Sequence, residues 1–492
     1  MLFNSYTFLI FFGVVLVVSH WLSNWSWRKS FLLIASYAFY AAWNPPFVIL
    51  LWISTLIDWH VSKRIPMARS AEIRKLYLWV SLAANLGMLS YFKYGGFLIE
   101  NLNSIANGIG LSHQFGRPSI ILPVGISFYT FQTLSYTIDI YRGRLRPWHS
   151  FLDYALYVTF FPQLVAGPIV RASEFLPQCT EDRKGTREQI GWGLSLLVIG
   201  LFSKVVIADG LMAPIVERVY NLEGHAGFLT AWTGTLAFSV QIFCDFYGYS
   251  TCAIGAALCL GFSLPDNFRW PYAAIGFSDF WSRWHISLSS WLRDYLYIPL
   301  GGNRKGRVRT YVNLSVTMLL GGLWHGASWM FVIWGALHGG YLILERLIAQ
   351  TRVAKFPVWG SPIGKVLLSG FTFFLVCFTW VFFRARNIKQ AFAMCSDMLD
   401  LRQAVAFDQS LIVVGQSVSS SCSVWLGFTK YGITCICTLS LLVVHWSLRE
   451  SSTESFFKRL PWVCRSLLLA AMLYLVAISM AGEDRAFIYF QF

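Results

Sequence analysis

Apolar residues run in long uninterrupted blocks along nearly the whole chain, separated by short polar or basic stretches. Residues 6–22 (YTFLIFFGVVLVVSHWL), 76–92 (LYLWVSLAANLGMLSYF), 190–208, 229–244, 327–344, 366–383 and 461–480 are close to the ~17–25 residues that cross a bilayer as a helix. Two shorter blocks, 31–42 and 47–58, turn at Trp43-Asn44-Pro45-Pro46. Segment 151–169 (FLDYALYVTFFPQLVAGPI) is apolar but holds two prolines, which predicts a re-entrant element. The pattern predicts an all-α polytopic transmembrane helical bundle of roughly 11–14 apolar segments, some re-entrant or interfacial. No Gly/Ser/Pro linker and no internal repeat divides it. Residues 1–492 therefore read as one membrane domain, with the chemistry-bearing stretches between about 120 and 345.

The longest stretch of mixed polarity is 263–310. Phe277, Phe280, Trp281, Trp284, Leu288, Trp291, Leu292 and Tyr295 recur at helical spacing, while Asp279, Arg283, Ser290, Arg293 and Asp294 fall off that stripe. A polar seam of Ser278, Ser282, His285 and Ser289 runs beside it. This predicts one continuous helix lying in the membrane interface, ending before Pro299. A basic loop, Gly301-Gly302-Asn303-Arg304-Lys305-Gly306-Arg307-Val308-Arg309, follows.

Composition agrees with the pattern. Only 13% of the 492 residues are charged, against ~25% in soluble domains. The 22 Trp and 22 Tyr suit aromatic rings at headgroup level. The net charge of +15 on so apolar a chain points to the positive-inside rule rather than to nucleic acid. Arg28 and Lys29 follow the first block and place the N-terminus outside. The clusters Lys63, Arg64, Arg69, Arg74, Lys75 and Arg142, Arg144, Arg146 alternate consistently with that. Residues 1–8 carry no basic n-region, so the first block is expected to stay as a helix rather than leave as a signal peptide. The ten cysteines form no CxxC pair, the closest spacing being Cys435-x-Cys437. They read as small hydrophobes rather than as disulfides or metal ligands.

Several catalytic signatures are missing. No GxSxG elbow and no HExxH occurs, and GGNRKG lacks the spacing and the Ser/Thr of a P-loop. HSFLD (149–153) is one residue short of the HxxxxD of soluble glycerolipid acyltransferases.

Against that background GGLWHGASWM (321–330) stands out. It places His325 between Trp324 and Trp329, with Gly321, Gly322 and Gly326 allowing close backbone approach. An ionisable group at membrane depth faces a cavity or a partner. Burial disfavours the imidazolium, leaving a neutral proton acceptor suited to general-base work. A histidine hydrogen-bonded to a neighbouring helix fits the residue type equally well. His285 reads either as a satisfied structural residue or as the wall of a polar tunnel. His338, 13 residues beyond His325, would lie ~20 Å away on a straight helix and reads as structural, like His20, His60 and His445. Asp245, in QIFCDFYGYS (241–250), needs a buried partner, for which Arg or a tyrosine hydroxyl is expected.

Five segments together resemble the membrane-bound O-acyltransferases, and within them the bacterial branch that acetylates polysaccharides. They are ILPVGISFYTFQTLSYTIDIYRG (121–143), FPQLVAGPI (161–169), DFYGYS (245–250), FWSRWHISLSSWLRDYLYIPLGGNRKG (280–306) and LLGGLWHGASWMFVIWGALHG (319–339). The closing FIYFQF (487–492) is similar too. The family's hallmark W-H-G histidine falls on His325, and its second recurrent polar position on His285. The resemblance implies a bowl-like bundle with a funnel on each face, joined by a central tunnel. Asp245, Trp324, Ser282, Ser289, Arg293 and Asn313 would support that tunnel.

The resemblance also implies an acetyl group taken from cytoplasmic acetyl-CoA and passed outward to a polysaccharide, alginate or cellulose. Transfer would be completed with a periplasmic partner protein, in a bacterial inner membrane. No permanently bound cofactor, metal or nucleic acid is implied. Arg304, Lys305, Arg307 and Arg309 suit a phosphorylated donor, although topology explains their charge equally well. D-alanyl or lipid transfer within the same superfamily stays open, as does a transporter with His325 in a proton relay.

Overall fold

The computed structural model describes the chain except residues 112–113, 117–119, 166, 404–419, 481–484, 486 and 489–492, with backbone alone at 403 and 420–429. Tyr489–Phe492 of the closing motif and Ala166 of the 161–169 segment thus lie outside the described residues. Among the described residues there is no strand.

The first third folds as α1 (Tyr6–Trp21), α2 (Trp25–Ala41), α3 (Val48–Arg64), α4 (Ala71–Leu89), α5 (Gly95–Gly108) and α6 (Ile126–Tyr141). Then come three short pieces, α7 (Phe151–Thr159), α8 (Phe161–Leu164) and α9 (Ala172–Phe175). The prolines of 151–169 break this region into buried fragments, as a re-entrant element requires. Next, α10 (Arg187–Leu201) continues through a π-helical stretch, Phe202–Met212, into α11 (Ala213–Tyr220), and α12 (Phe228–Cys259) follows. The remainder comprises α13 (Phe277–Arg283), α14 (Ile286–Leu292), α15 (Arg307–His325), α16 (Trp329–Ile348), α17 (Pro362–Arg384), α18 (Ile388–Asp397), α19 (Ser420–Ser447), α20 (Thr453–Arg459) and α21 (Trp462–Ser479).

Six helical stretches among the described residues are long and apolar enough to cross a bilayer: Pro45–Arg64, Arg187–Tyr220, Phe228–Cys259, Trp329–Ile348, Pro362–Arg384 and Trp462–Ser479. The protein is a multi-pass helical membrane protein. Fewer segments qualify than the apolar blocks suggested, because some helices spend polar residues on their neighbours rather than presenting apolar faces to lipid. On α6, Thr130, Gln132, Thr133, Ser135 and Thr137 are all buried. Conversely Ile363, Leu367 and Phe371 on α17 and Leu467, Tyr474 and Ile478 on α21 are exposed, as lipid-facing positions must be.

At the centre stands α12, 83% buried across its apolar window. Glycine sets its distance from α10. Gly193 and Gly200 face Gly255 and Gly248, and a Cβ on Gly200 or Gly248 would come within 2.6 Å of the opposite carbonyl oxygen. Small residues at seven-residue spacing let the two backbones touch where lipid offers no hydrophobic drive.

The expected placement of Arg28 and Lys29 changes. Arg28 and Lys29 sit inside α2, not in a loop, and both are buried. Arg28 pairs with Asp182 at 2.7 Å, and Lys29 with Asp153 at 2.5 Å. The apolar run of 31–42 concealed a helix beginning six residues earlier, whose first-turn cations dock onto another segment. They still mark the same end of the bundle as the other basic clusters. Arg74 bonds the Tyr141 carbonyl, Arg142 bonds that of Asp294 at 3.1 Å, and Arg28 bonds that of Arg183 at 2.8 Å. This end is the basic face of the bundle.

Candidate active site

His325 is the last residue of α15, and local sequence explains why the helix stops there. Gly326 turns to an extended backbone, and Ser328 then caps α16 by accepting from the Met330 N–H at 3.2 Å. The hairpin closes tightly because a Cβ on Gly322 would overlap the Phe331 carbonyl, and one on Gly326 the Phe331 ring. His325 is therefore carried into the protein, 2% exposed, and does not point into hydrocarbon. Its ring packs against Trp334 (centroids 5.0 Å), Trp324 (5.2 Å), Phe383 (5.4 Å) and His285 (6.3 Å).

His285 reaches the same point by an unexpected route. The stripe of 277–295 does not form one helix. It breaks between α13 and α14, with His285 in the left-handed region at φ 43°. Nor does it lie in the interface: Phe280, Trp284, Leu288 and Trp291 are buried in protein. A non-glycine residue held left-handed is strained and persists only where its surroundings fix it. Asn267, 1% exposed, does the fixing. Its Oδ1 faces His285 Nδ1 (3.1 Å) and accepts from the Ser287 hydroxyl (2.8 Å) and the Ser287 N–H (3.3 Å). Its Nδ2 donates to Ser250 Oγ at 2.9 Å, and its carbonyl accepts from the Ile286 N–H at 2.9 Å. Because that Oδ1 is an acceptor, His285 carries its proton on Nδ1 and keeps a lone pair on Nε2. Among the described residues Nε2 has no hydrogen-bond partner. The ring itself is walled by Phe246 (4.6 Å), Trp324 (5.6 Å) and Phe128 (6.4 Å).

Two cavities approach this pair. The larger, about 410 Å³, enters from the basic face between α12, the 263–270 loop and residues 450–454, and Asn267 forms part of its wall. The smaller, about 60 Å³, enters from the opposite face and is lined by Trp43, Lys93, Ser127, Phe128, Trp324 and His325. The Asn267-bound His285 and the cavity-lining His325 occupy the protein between them.

Not every sequence-predicted residue belongs to this site. Trp324 does, 5.3 Å from Phe128 and lining the outer cavity. Ser282 is exposed and donates to the Asp279 carbonyl, Ser289 donates to that of Trp284 at 3.1 Å, and Arg293 is exposed and pairs with Asp294. Ser282 and Ser289 shared a seam with His285 only on a continuous helix, which the break at His285 abolishes. Asn313 is buried but donates to the Gly302 carbonyl at 2.9 Å, bracing the 301–306 loop. Asp245 is buried, and its partner is neither arginine nor tyrosine. Lys204 lies 2.6 Å away and also holds Asp209 at 2.8 Å, while Ile488 N–H donates to Asp245 at 2.7 Å. The exposed Arg304, Lys305 and Arg307 line neither cavity; the larger one carries Arg269 with Asp266, Glu450 and Glu454. His338 is not remote either. The hairpin folds α16 back so that Trp334, 5.0 Å from His325, also lies 4.7 Å from His338, whose Nε2 meets Thr379 Oγ1 at 3.0 Å.

Sequence reasoning missed Asn267, Ser287 and Lys93. Asn267 carried a weak signal, as an uncharged polar residue inside the aromatic PDNFRW stretch. The other two carried none.

The profile of the membrane-bound O-acyltransferase family matches residues 144–383, which contain both histidines. The chain is 42% identical over 400 residues to a probable alginate O-acetylase AlgI of Pseudomonas aeruginosa, covering 81% of this chain and 75% of that one. It is 38% identical over 433 residues to a peptidoglycan O-acetyltransferase of Helicobacter pylori, covering 82% and 80%. A teichoic acid D-alanyltransferase of Bacillus subtilis is 26% identical over 286 residues, covering 54% and 70%. With its helical membrane fold, a buried histidine pair and these relatives, this chain belongs to the membrane-bound O-acyltransferase family and is an acyltransferase.

Proposed function

We propose that this protein is an O-acetyltransferase of the bacterial inner membrane that draws acetyl from a cytoplasmic thioester, acetyl-CoA, and delivers it to hydroxyls of an extracytoplasmic polysaccharide. The single observation that carries this is the buried His285–His325 pair, rings 6.3 Å apart, with His325 lining the smaller cavity and Asn267, the partner of His285, lining the larger one. The names of the relatives support acetyl as the group and a polysaccharide as the destination. The positive-inside rule makes the basic face cytoplasmic.

In this reading the acceptor hydroxyl arrives through the smaller cavity. Its oxygen attacks the thioester carbonyl carbon while His325 takes the hydroxyl proton. The tetrahedral adduct collapses, the C–S bond breaks, and the thiolate leaves with the proton that His325 returns. Acetyl-CoA and an alcohol become an ester and free CoA thiol. The aromatic walls keep water from competing for the thioester. His285, protonated on Nδ1, offers only a lone pair on Nε2. It orients the donor by accepting a hydrogen bond or passes a proton on. In the cell a periplasmic partner protein presents the glycan's hydroxyls to the smaller cavity.

The test is sidedness. In sealed vesicles of known orientation with labelled acetyl-CoA, label should reach an oligosaccharide on the far side only when the donor meets the face bearing residues 263–270. Equal transfer from either face, or none from that face, overturns the proposal.

A further inference from the structure

The far end of the chemistry rests on a segment outside the matched region 144–383. Between α4 and α5 the backbone makes one π-helical turn, Ser90–Tyr94, a distortion that often marks functional sites. It directs two consecutive side chains at the C-terminus of α15. Tyr94 hydroxyl donates to the Leu323 carbonyl at 2.7 Å. Lys93 Nζ donates to the carbonyls of Trp324 (2.5 Å) and His325 (3.2 Å) and to Ser127 Oγ (3.3 Å).

A helix leaves its last carbonyls without intrahelical partners, and the negative end of its dipole gathers there. Most helices meet this with a left-handed cap or with water. Here Gly326 departs extended, supplying no such cap, and the turn is buried. Three successive carbonyls, Leu323, Trp324 and His325, are instead met by two side chains from another helix. We propose that Lys93 is a positioning residue: its ammonium clamps the final turn of α15, so that the His325 ring is held at the mouth of the outer cavity.

Stoichiometry separates this from a substrate-binding role. An ammonium has three N–H bonds, and Trp324, His325 and Ser127 accept all three. Although Lys93 lines the cavity, it has no donor left for a ligand. Its loss should therefore lower kcat without changing KM, because the donor enters through the other cavity.

The inference rests on His325 being the proton acceptor, and the experiment keeps the two apart. Wild type, Lys93→Met, Lys93→Arg, Tyr94→Phe and His325→Gln are purified in detergent as monodisperse protein. Release of CoA thiol from acetyl-CoA is followed with a uronate oligosaccharide acceptor. Lys93→Met should lose about a hundredfold in kcat, the order that a misplacement of about 1 Å brings, with KM for acetyl-CoA unchanged. Lys93→Arg, which keeps the charge and has donors to spare, should recover to within about tenfold of wild type. A Lys93→Met kcat within threefold of wild type overturns the proposal, and so does a loss expressed in KM. Should Lys93→Met not fold, Tyr94→Phe decides. It removes one carbonyl bond and no charge, so a several-fold fall in kcat at constant KM supports the clamp, and an unchanged kcat overturns it. A fully active His325→Gln would sink the base assignment itself. An inactive His325→Gln beside an unaffected Lys93→Met would sink only the clamp.

Discussion

Replacing Asn267 with leucine tests how the second histidine is held. The two side chains have similar shape, so the cavity wall stays filled while the polar contacts disappear. Oδ1 now serves His285 Nδ1–H, Ser287 N–H and the Ser287 hydroxyl. The hydroxyl can rotate to another acceptor, but the other two donors cannot follow. Each immobile buried donor left unpaired costs about 1–3 kcal/mol, so the substitution should destabilise the protein by about 2–6 kcal/mol. Some of that can be relieved if residue 285 abandons its left-handed backbone, which is itself disfavoured by about 1–2 kcal/mol. Relief of that kind turns the imidazole away from His325. At 1.36 kcal/mol per tenfold in rate, even the lower figure amounts to more than a tenfold fall in kcat if it is expressed in the transition state. The assay is CoA thiol release by detergent-purified protein, paired with a thermal unfolding curve by intrinsic fluorescence. A variant that melts with wild type and turns over within threefold of it would refute the role given to Asn267.

Three other outcomes follow from the same geometry. Asp245→Ala removes one of the two carboxylates around buried Lys204 and should cost about 3–5 kcal/mol, seen as a lower melting temperature, whereas pairing it with Lys204→Met should recover much of the loss. Gly322→Ala puts a Cβ into the Phe331 carbonyl and 3.1 Å from Gly335 Cα, so α15 and α16 must separate. Turnover should fall about tenfold or more, by the same order-of-magnitude reasoning on misplaced catalytic groups, while expression and oligosaccharide-independent folding persist.

Asp279 supplies a pH dependence. It lies outside the spanning helices, and burial pushes its carboxyl up. The Ile275 N–H (2.9 Å), Arg449 (2.8 Å) and Arg283 (2.7 Å) outweigh burial and hold it below its ordinary 3.8. A carboxylate whose folded value is depressed contributes stability that is fully present above the unfolded value and is lost as pH falls through the folded one. The stability gap between wild type and Asp279→Asn should accordingly be constant above about pH 5 and shrink below about pH 4; a gap independent of pH would contradict this.

Much of the outline could be read from the residues alone, because bilayer thickness imposes a length on apolar runs and W-H-G is a specific signal. His325 and Trp324 were singled out this way, and the fold buries both beside His285. What escaped is where side chains from distant segments meet. Periodicity carried the 277–295 stripe straight through His285, because nothing in FWSRWHISL announces a residue forced left-handed. The forcing comes from Asn267, 18 positions upstream. The break at His285 separates Ser282 from the seam it was expected to share with His285 and Ser289. Likewise Arg28 and Lys29 looked like loop charges because their carboxylate partners, Asp182 and Asp153, lie more than 120 residues away. Asp245 was recognised as needing a partner, but Lys204 sits on a π-helical stretch whose register helical counting does not give.

Transfer by this route requires His325 to take the acceptor's proton. The most direct measurement is the acetyl-CoA turnover number of His325→Gln against wild type, on protein shown to be folded and with the donor saturating. Glutamine keeps size and hydrogen bonding but cannot accept the proton, so kcat should fall by about two to four orders of magnitude. Turnover equal to wild type would show that the proton goes elsewhere.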